Sequence, residues 1–308
     1  MLRFVRGAVL GVSASAETFR LTPQTGSPYN EPTMFSIPVW TNALSLTKGG
    51  DGDVMQIAIF LFNTGDATCL AEKGGFSSSD PYDFQAEPEE VVHEARIDLS
   101  ASTVLETDVT VRKEHAYTYH RGAGQIGASL SSAFVAAVRG FTIRVVDAES
   151  AELITGEKDS SLDWSEIDLV NEEADHWIVA GNIAIGETSA FETSFRMNTG
   201  SSIIKLPVDM YDALIASVVA TGGTPSSVLN RMFIKDCDSA TIPALFLGFR
   251  EEIPIQRVDI VSEGADERSC LLHVGVSESS FVELGEPFLN GRAVHFDSDL
   301  RKVSFADV

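Results

Sequence analysis

Ser194-Phe195-Arg196-Met197-Asn198-Thr199-Gly200-Ser201-Ser202-Ile203-Ile204-Lys205-Leu206-Pro207 reads as an apolar strand, a tight Asn-Thr-Gly turn and a second apolar stretch. The same arrangement occurs earlier, as Ile59-Phe60-Leu61-Phe62-Asn63-Thr64-Gly65-Asp66-Ala67-Thr68-Cys69-Leu70. Asn63 and Asn198 stand 135 residues apart, one in each half of a chain of 308 residues. Short alternating strands with Gly and Pro turns and few helix-length patterns elsewhere predict an all-β chain.

A strand, a three-residue turn with Gly third and another strand, once per half, resembles the pepsin-like (family A1) aspartic proteases, where the turn is Asp-Thr-Gly. The resemblance implies a bilobal β fold in which the two turns meet across a pseudo-two-fold axis. It places Asn63 and Asn198 at the two catalytic Asp positions, with Thr64, Gly65, Thr199, Gly200 and Ser201 completing the motif turns. In the family two close carboxylates share one proton and activate a water, because like charges at that distance cannot both ionise. A side-chain amide neither gives nor takes a proton in that role, so no catalytic pair is intact. Thr64 and Thr199 are retained, and in the family these hydroxyls brace the two turns against each other.

Composition narrows the function classes. With 44% hydrophobic residues and 18 Phe there is ample material for a core, and the length gives about two domains. Lys and Arg number 22 against 45 Asp and Glu, and a net charge of −23 repels phosphate backbones and anionic membrane surfaces, so nucleic acid is excluded as a partner. Three cysteines lack zinc-site spacing, and the six histidines form no cluster, so neither metal nor cofactor is expected. No run approaches the roughly 18 apolar residues that span a bilayer. Arg3 and Arg6 before Ala8-Val9-Leu10-Gly11-Val12 and Ala14-Ser15-Ala16 have the order of a signal peptide with a very short apolar centre. A first strand is the other reading of that stretch.

Along the first half, Ser36-Ile37-Pro38-Val39 reads as an opening strand, residues 95–99 and 105–111 as further alternating strands, and residues 130–146 as apolar strands. Ala116-Tyr117-Thr118-Tyr119-His120-Arg121-Gly122-Ala123-Gly124 is similar to the family's flap hairpin, with Tyr119 over the cleft and Gly122 in the tip; an ordinary hairpin is the alternative. No Asp-Gly-Ile-Leu-Gly element of the family's first lobe appears, which implies a shortened lobe.

The second half matches more fully. His176-Trp177-Ile178-Val179-Ala180-Gly181-Asn182-Ile183-Ala184-Ile185-Gly186 resembles the family's Trp-bearing strand and its Gly turn. After Pro207, Met210, Leu214, Ile215 and Val218 have helical spacing. Phe281-Val282-Glu283-Leu284-Gly285-Glu286-Pro287-Phe288-Leu289, then Ala293-Val294-His295-Phe296-Asp297 and Lys302-Val303-Ser304-Phe305-Ala306, resemble the family's closing signature in order and spacing. Cys237 and Cys270 resemble its second-lobe disulfide, which implies a secretory-type environment; two free thiols are the alternative. Cys69 reads as a buried core thiol.

The expectation is an all-β, bilobal pepsin-like fold with a shortened N-terminal lobe and few short helices. The lobes are residues 1–160, carrying the first turn and candidate flap, and 161–308, carrying the second turn and disulfide. Functionally the resemblance implies an inactive protease homologue that binds a peptide or protein in the inter-lobe cleft, in the secretory pathway or outside the cell. Two alternatives stay open: a structural subunit of a larger protein complex, for which an intracellular assembly is also open, and an endopeptidase inactivated by Asp→Asn substitutions.

Overall fold

The computed structural model describes residues 16–24, 34–41, 55–67, 69–72, 90–112, 124–147, 150–170, 175–186, 190–228, 231–235, 242–249, 253–263 and 269–308. These residues build a mostly β molecule with a 12-stranded, a 7-stranded and a 4-stranded sheet.

The 12-stranded sheet starts at one edge with Ser165–Asp168, Lys302–Asp307 and Arg292–Asp297, continues through Gly140–Asp147, Ser150–Thr155, Thr18–Gln24 and Met34–Thr41, and ends beyond Gln56–Asn63. The C-terminal hairpin therefore pairs directly with the first half of the chain. Phe296 stands opposite Phe141, and Phe305 opposite Val294. The segments that resemble the family's closing signature form these two strands, and each buries four consecutive residues, 293–296 and 303–306, so both of its faces are covered.

Each Asn-Thr-Gly turn is embedded in the same strand arrangement. Gln56–Asn63 leads into the first turn and runs parallel to Gly124–Gly127; Cys69–Glu72 leaves it, antiparallel to Gly124–Gly127 and parallel to Val104–Arg112. In the second half Phe191–Met197 leads in, parallel to Val282–Leu284, and Ile204–Pro207 leaves, antiparallel to Val282–Leu284 and parallel to Val274–Ser277. Gly124–Gly127 thus takes the topological place of Val282–Leu284. This corrects the expectation that the first half lacks such an element: it is present as Gly124-Gln125-Ile126-Gly127, with a glutamine at a position that is apolar in the family's motif.

A second correction falls at residues 130–146, expected as strands throughout. A helix, Ala133–Val138, comes first, and the strand Gly140–Asp147 follows. Ser132 starts the helix by accepting the Val135 N–H on its hydroxyl at 3.1 Å, and Arg139 at φ 63 ends it. An apolar run this short fits a buried strand and a buried helix equally, and the serine cap decides between them. The helix after Pro207 spans Val208–Ala220 and buries Met210, Leu214 and Val218, one residue per turn.

Behind the turns lies a continuous aromatic core. Phe62, Phe134, Phe141, Trp177 and Phe296 are all fully buried. Phe141 stacks on Phe296 with ring centres 4.7 Å apart and meets Phe62 edge-on at 5.7 Å. Trp177 meets Phe296 at 5.1 Å and donates its indole N–H to the Ala128 carbonyl at 2.8 Å, which satisfies the one polar atom it buries. Aromatic pairs of this geometry add about 0.5–1.5 kcal/mol each beyond the area they bury, so these rings form a stiff support for the first turn, which Phe62 directly precedes.

Candidate functional site

The strands Gln56–Asn63 and Phe191–Met197 end where the two turns meet. Thr64 N–H donates to Thr199 Oγ1 at 3.0 Å, and Thr199 N–H donates to Thr64 Oγ1 at 3.0 Å. Each hydroxyl then donates onward across the junction, Thr64 to the Met197 carbonyl at 3.1 Å and Thr199 to the Phe62 carbonyl at 3.0 Å. Both threonines are buried, so these four bonds replace water entirely and fix the turns at one separation.

That separation presses each asparagine against the opposite glycine. A methyl group added to Gly65 would fall 2.6 Å from Asn198 Cγ, and one added to Gly200 would fall 2.4 Å from Asn63 Cγ. Any residue other than glycine would have to displace a carboxamide, which explains the third position of both turns.

The chemistry of the neighbours orients both carboxamides. Gly65 N–H donates to Asn63 Oδ1 at 2.8 Å and Gly200 N–H donates to Asn198 Oδ1 at 3.1 Å, so the oxygens face their own turns. The nitrogens point the other way. Asn63 Nδ2 donates to Gln125 Oε1 at 3.0 Å, and Asn198 Nδ2 donates to Glu283 Oε2 at 3.1 Å. Ser201, after the second turn, closes a local loop by donating its hydroxyl to the Ile203 carbonyl at 2.8 Å.

Charged groups surround Glu283. Lys205 Nζ lies 3.2 Å from its Oε2 and Arg196 Nη1 lies 4.0 Å from its Oε1. Arg196 also reaches into the first turn, donating from Nη2 to the Gly65 carbonyl, and the same nitrogen lies 3.2 Å from His176 Nδ1. In the first unit Gln125 Nε2 donates to Asp66 Oδ2 at 3.1 Å. Asp66 is thus tied to Asn63 through Gln125.

Two further titratable groups lie buried in the C-terminal segment. Burial pushes the Glu286 carboxyl up to about 7. Burial likewise pushes His295 down to about 4, while its Nδ1 pairs with Thr142 Oγ1 at 2.9 Å. Cys69 is a free, buried thiol, pushed up to about 11 by burial.

The structure therefore brings together Asn63, Thr64, Gly65, Asn198, Thr199, Gly200 and Ser201 of the residues singled out from sequence. Tyr119, Gly122 and Cys237 lie outside the described residues. Gln125, Glu283, Lys205 and Arg196 were not singled out. A signal for the first two exists in hindsight: Gln125-Ile126-Gly127 and Glu283-Leu284-Gly285 share the order polar, aliphatic, glycine. Among the described residues no group of three His, Cys, Asp or Glu side chains converges as a metal site. Among them, too, no helix is long and apolar enough to cross a membrane.

Compared with known families, residues 139–308, more than half of the chain, match the model described as "Asp: Eukaryotic aspartyl protease". No curated protein matches the chain.

Proposed function

Because the chain belongs to the eukaryotic aspartyl protease family, we propose that it is an inactive member that holds a peptide or protein in its inter-lobe cleft without cutting it. Asn63 and Asn198 take the places of the two catalytic acids in this reading, within lobes divided as residues 1–160 and 161–308. The observation that carries it is the pair of carboxamides. Each is locked by a glycine N–H on its oxygen and an acceptor on its nitrogen, and neither can act as general acid or general base toward an attacking water. The bracing by Thr64 and Thr199 is intact all the same, which supports a working scaffold with altered chemistry.

An extended segment in such a cleft is held by main-chain hydrogen bonds, with side chains in alternating pockets and Tyr119 and Gly122 of the flap closing over it. Incubating the chain with a random octapeptide pool and separating by size tests the reading. Intact peptides are expected to be retained, with no cleavage at any pH from 3 to 8. Cleavage products that a statine-containing inhibitor suppresses, with contaminating protease excluded, would overturn it.

One observation favours a second reading, a structural subunit of a larger complex: the family match begins at residue 139 and leaves the earlier part of the chain outside it. Native mass separates the two, since a lone chain is 33.2 kDa. A secretory placement is part of the proposal, resting on a disulfide between Cys237 and Cys270.

A further inference from the structure

Gln125 and Glu283 hold equivalent places in the two units. Gln125 stands in register with Leu61, two residues before Asn63, and Glu283 with Arg196, two residues before Asn198. Each accepts a hydrogen bond from the asparagine Nδ2 of its own unit, at 3.0 Å and 3.1 Å. Beyond them both chains of hydrogen bonds end on a carboxylate. In the second unit it is Glu283 itself; in the first, Gln125 passes the polarity on, and its Nε2 donates to Asp66 at 3.1 Å.

The direction of these bonds decides which residue type fits each turn. A carboxylate only accepts, so Glu283 calls for a donor at residue 198. Gln125 has its NH2 group committed to Asp66 and faces residue 63 with its carbonyl oxygen, which also only accepts. An aspartate in either turn would set acceptor against acceptor unless it kept its proton. At residue 198 it would face a second carboxylate, and like charges in contact resist joint ionisation. Glu283 is buried, which strengthens the conflict.

We infer that Gln125 and Glu283 are positioning residues that make asparagine the residue both turns are built around, so that the cleft floor offers amide N–H groups to a neutral acceptor, the main-chain carbonyl of an extended peptide. Each Nδ2 carries two hydrogens and gives one to Gln125 or Glu283; the second is the one a ligand meets. The ligand half of this inference rests on the peptide-binding reading, while the positioning half does not. It follows that changing the two asparagines to aspartate does not by itself create a proton-sharing acid pair.

The positioning role is tested without ligand. Asn198→Asp and Asn63→Asp are prepared with 13C-labelled carboxyl groups and titrated by NMR. An ordinary aspartate titrates at about 3.9. The carboxyl introduced at residue 198 is expected at least about one pH unit higher, returning by a similar amount when Glu283→Gln is added. At residue 63, Asp66→Asn is expected to give the corresponding return. Lys205, Arg196 and His176 bias the midpoint the other way, but they are the same in single and double variants, so the difference reports the partner carboxylate. Midpoints in the ordinary range, unmoved by the second substitution, overturn the inference. Should a variant fail to fold, the unsubstituted chain gives the same answer by hydrogen exchange. One Nδ2 hydrogen of each asparagine is expected to exchange at least about ten-fold more slowly than exposed side-chain amides, and equal exchange overturns the assignment.

The ligand half uses an octapeptide from the retained pool and its analogue with the central carbonyl reduced to methylene. At least about ten-fold weaker binding of the reduced form is expected, the loss of a carbonyl acceptor from a site built to donate to it. Equal or tighter binding of the reduced form overturns it. If no peptide of the pool is retained while the titrations behave as expected, the peptide reading and the ligand named here both fall, and the positioning role stands.

Discussion

Thr64 Oγ1 accepts the Thr199 N–H and donates to the Met197 carbonyl, so a single hydroxyl satisfies two buried backbone groups of the opposite strand and turn. Replacing it by the isosteric valine leaves both groups without a partner. Each orphaned buried group costs about 1–3 kcal/mol, so Thr64→Val is expected to destabilise by about 2–6 kcal/mol. Thr64→Ser keeps the hydroxyl and is expected to recover most of that loss. Urea denaturation of the three chains reads the difference, and a valine variant as stable as the original would mean that the junction is not held by these bonds.

His295 and Glu286 give opposite pH dependences. His295 is held at about 4 in the fold against 6.5 unfolded, so the unfolded chain binds the extra proton and stability is lost as pH falls from about 6.5 toward 4. Glu286 is held at about 7 against 4.5 unfolded, so the folded chain binds the extra proton and stability is lost as pH rises from about 4.5 toward 7. Each effect is on the order of 3 kcal/mol across its full range, and between pH 5 and 6.5 they oppose one another. Glu286→Gln should therefore make the melting temperature climb with pH across that window, and His295→Gln should make it fall. The same slope in both variants would show that neither group governs stability there.

Cys69 is expected to resist alkylation in the native chain at pH 8, because its thiol is buried and its ionisation is pushed up to about 11, and to react once the chain is unfolded. Peptide mapping without reductant is expected to recover Cys237 linked to Cys270. In the loop-entropy account that closure stabilises by about 3–4 kcal/mol, so reduction should lower the melting temperature. Alkylation of all three cysteines in the native protein would remove the secretory placement.

What the sequence by itself determined is the part encoded in adjacent residues. The closing segments at residues 293–297 and 302–306 were legible through the order and spacing they share with the family, while strand, Asn-Thr-Gly, strand and the helix after Pro207 are local patterns of apolar side chains and turn residues. Those local patterns could be read because side-chain period and turn chemistry act over a few residues. The helix Ala133–Val138 was illegible for the complementary reason: its apolar run suits either element, and a single serine hydroxyl chose. Only the tertiary structure decided what surrounds the two asparagines. Gln125 lies 62 residues beyond Asn63, and Glu283 lies 85 residues beyond Asn198. Those contacts follow from parallel strand register, which no local pattern specifies, since a shift of one residue would turn Gln125 and Glu283 to the opposite face of their strands. The two turns can be found in the chain as written, but the direction of the hydrogen bonds that makes amides fit them exists only once strands distant in sequence lie side by side.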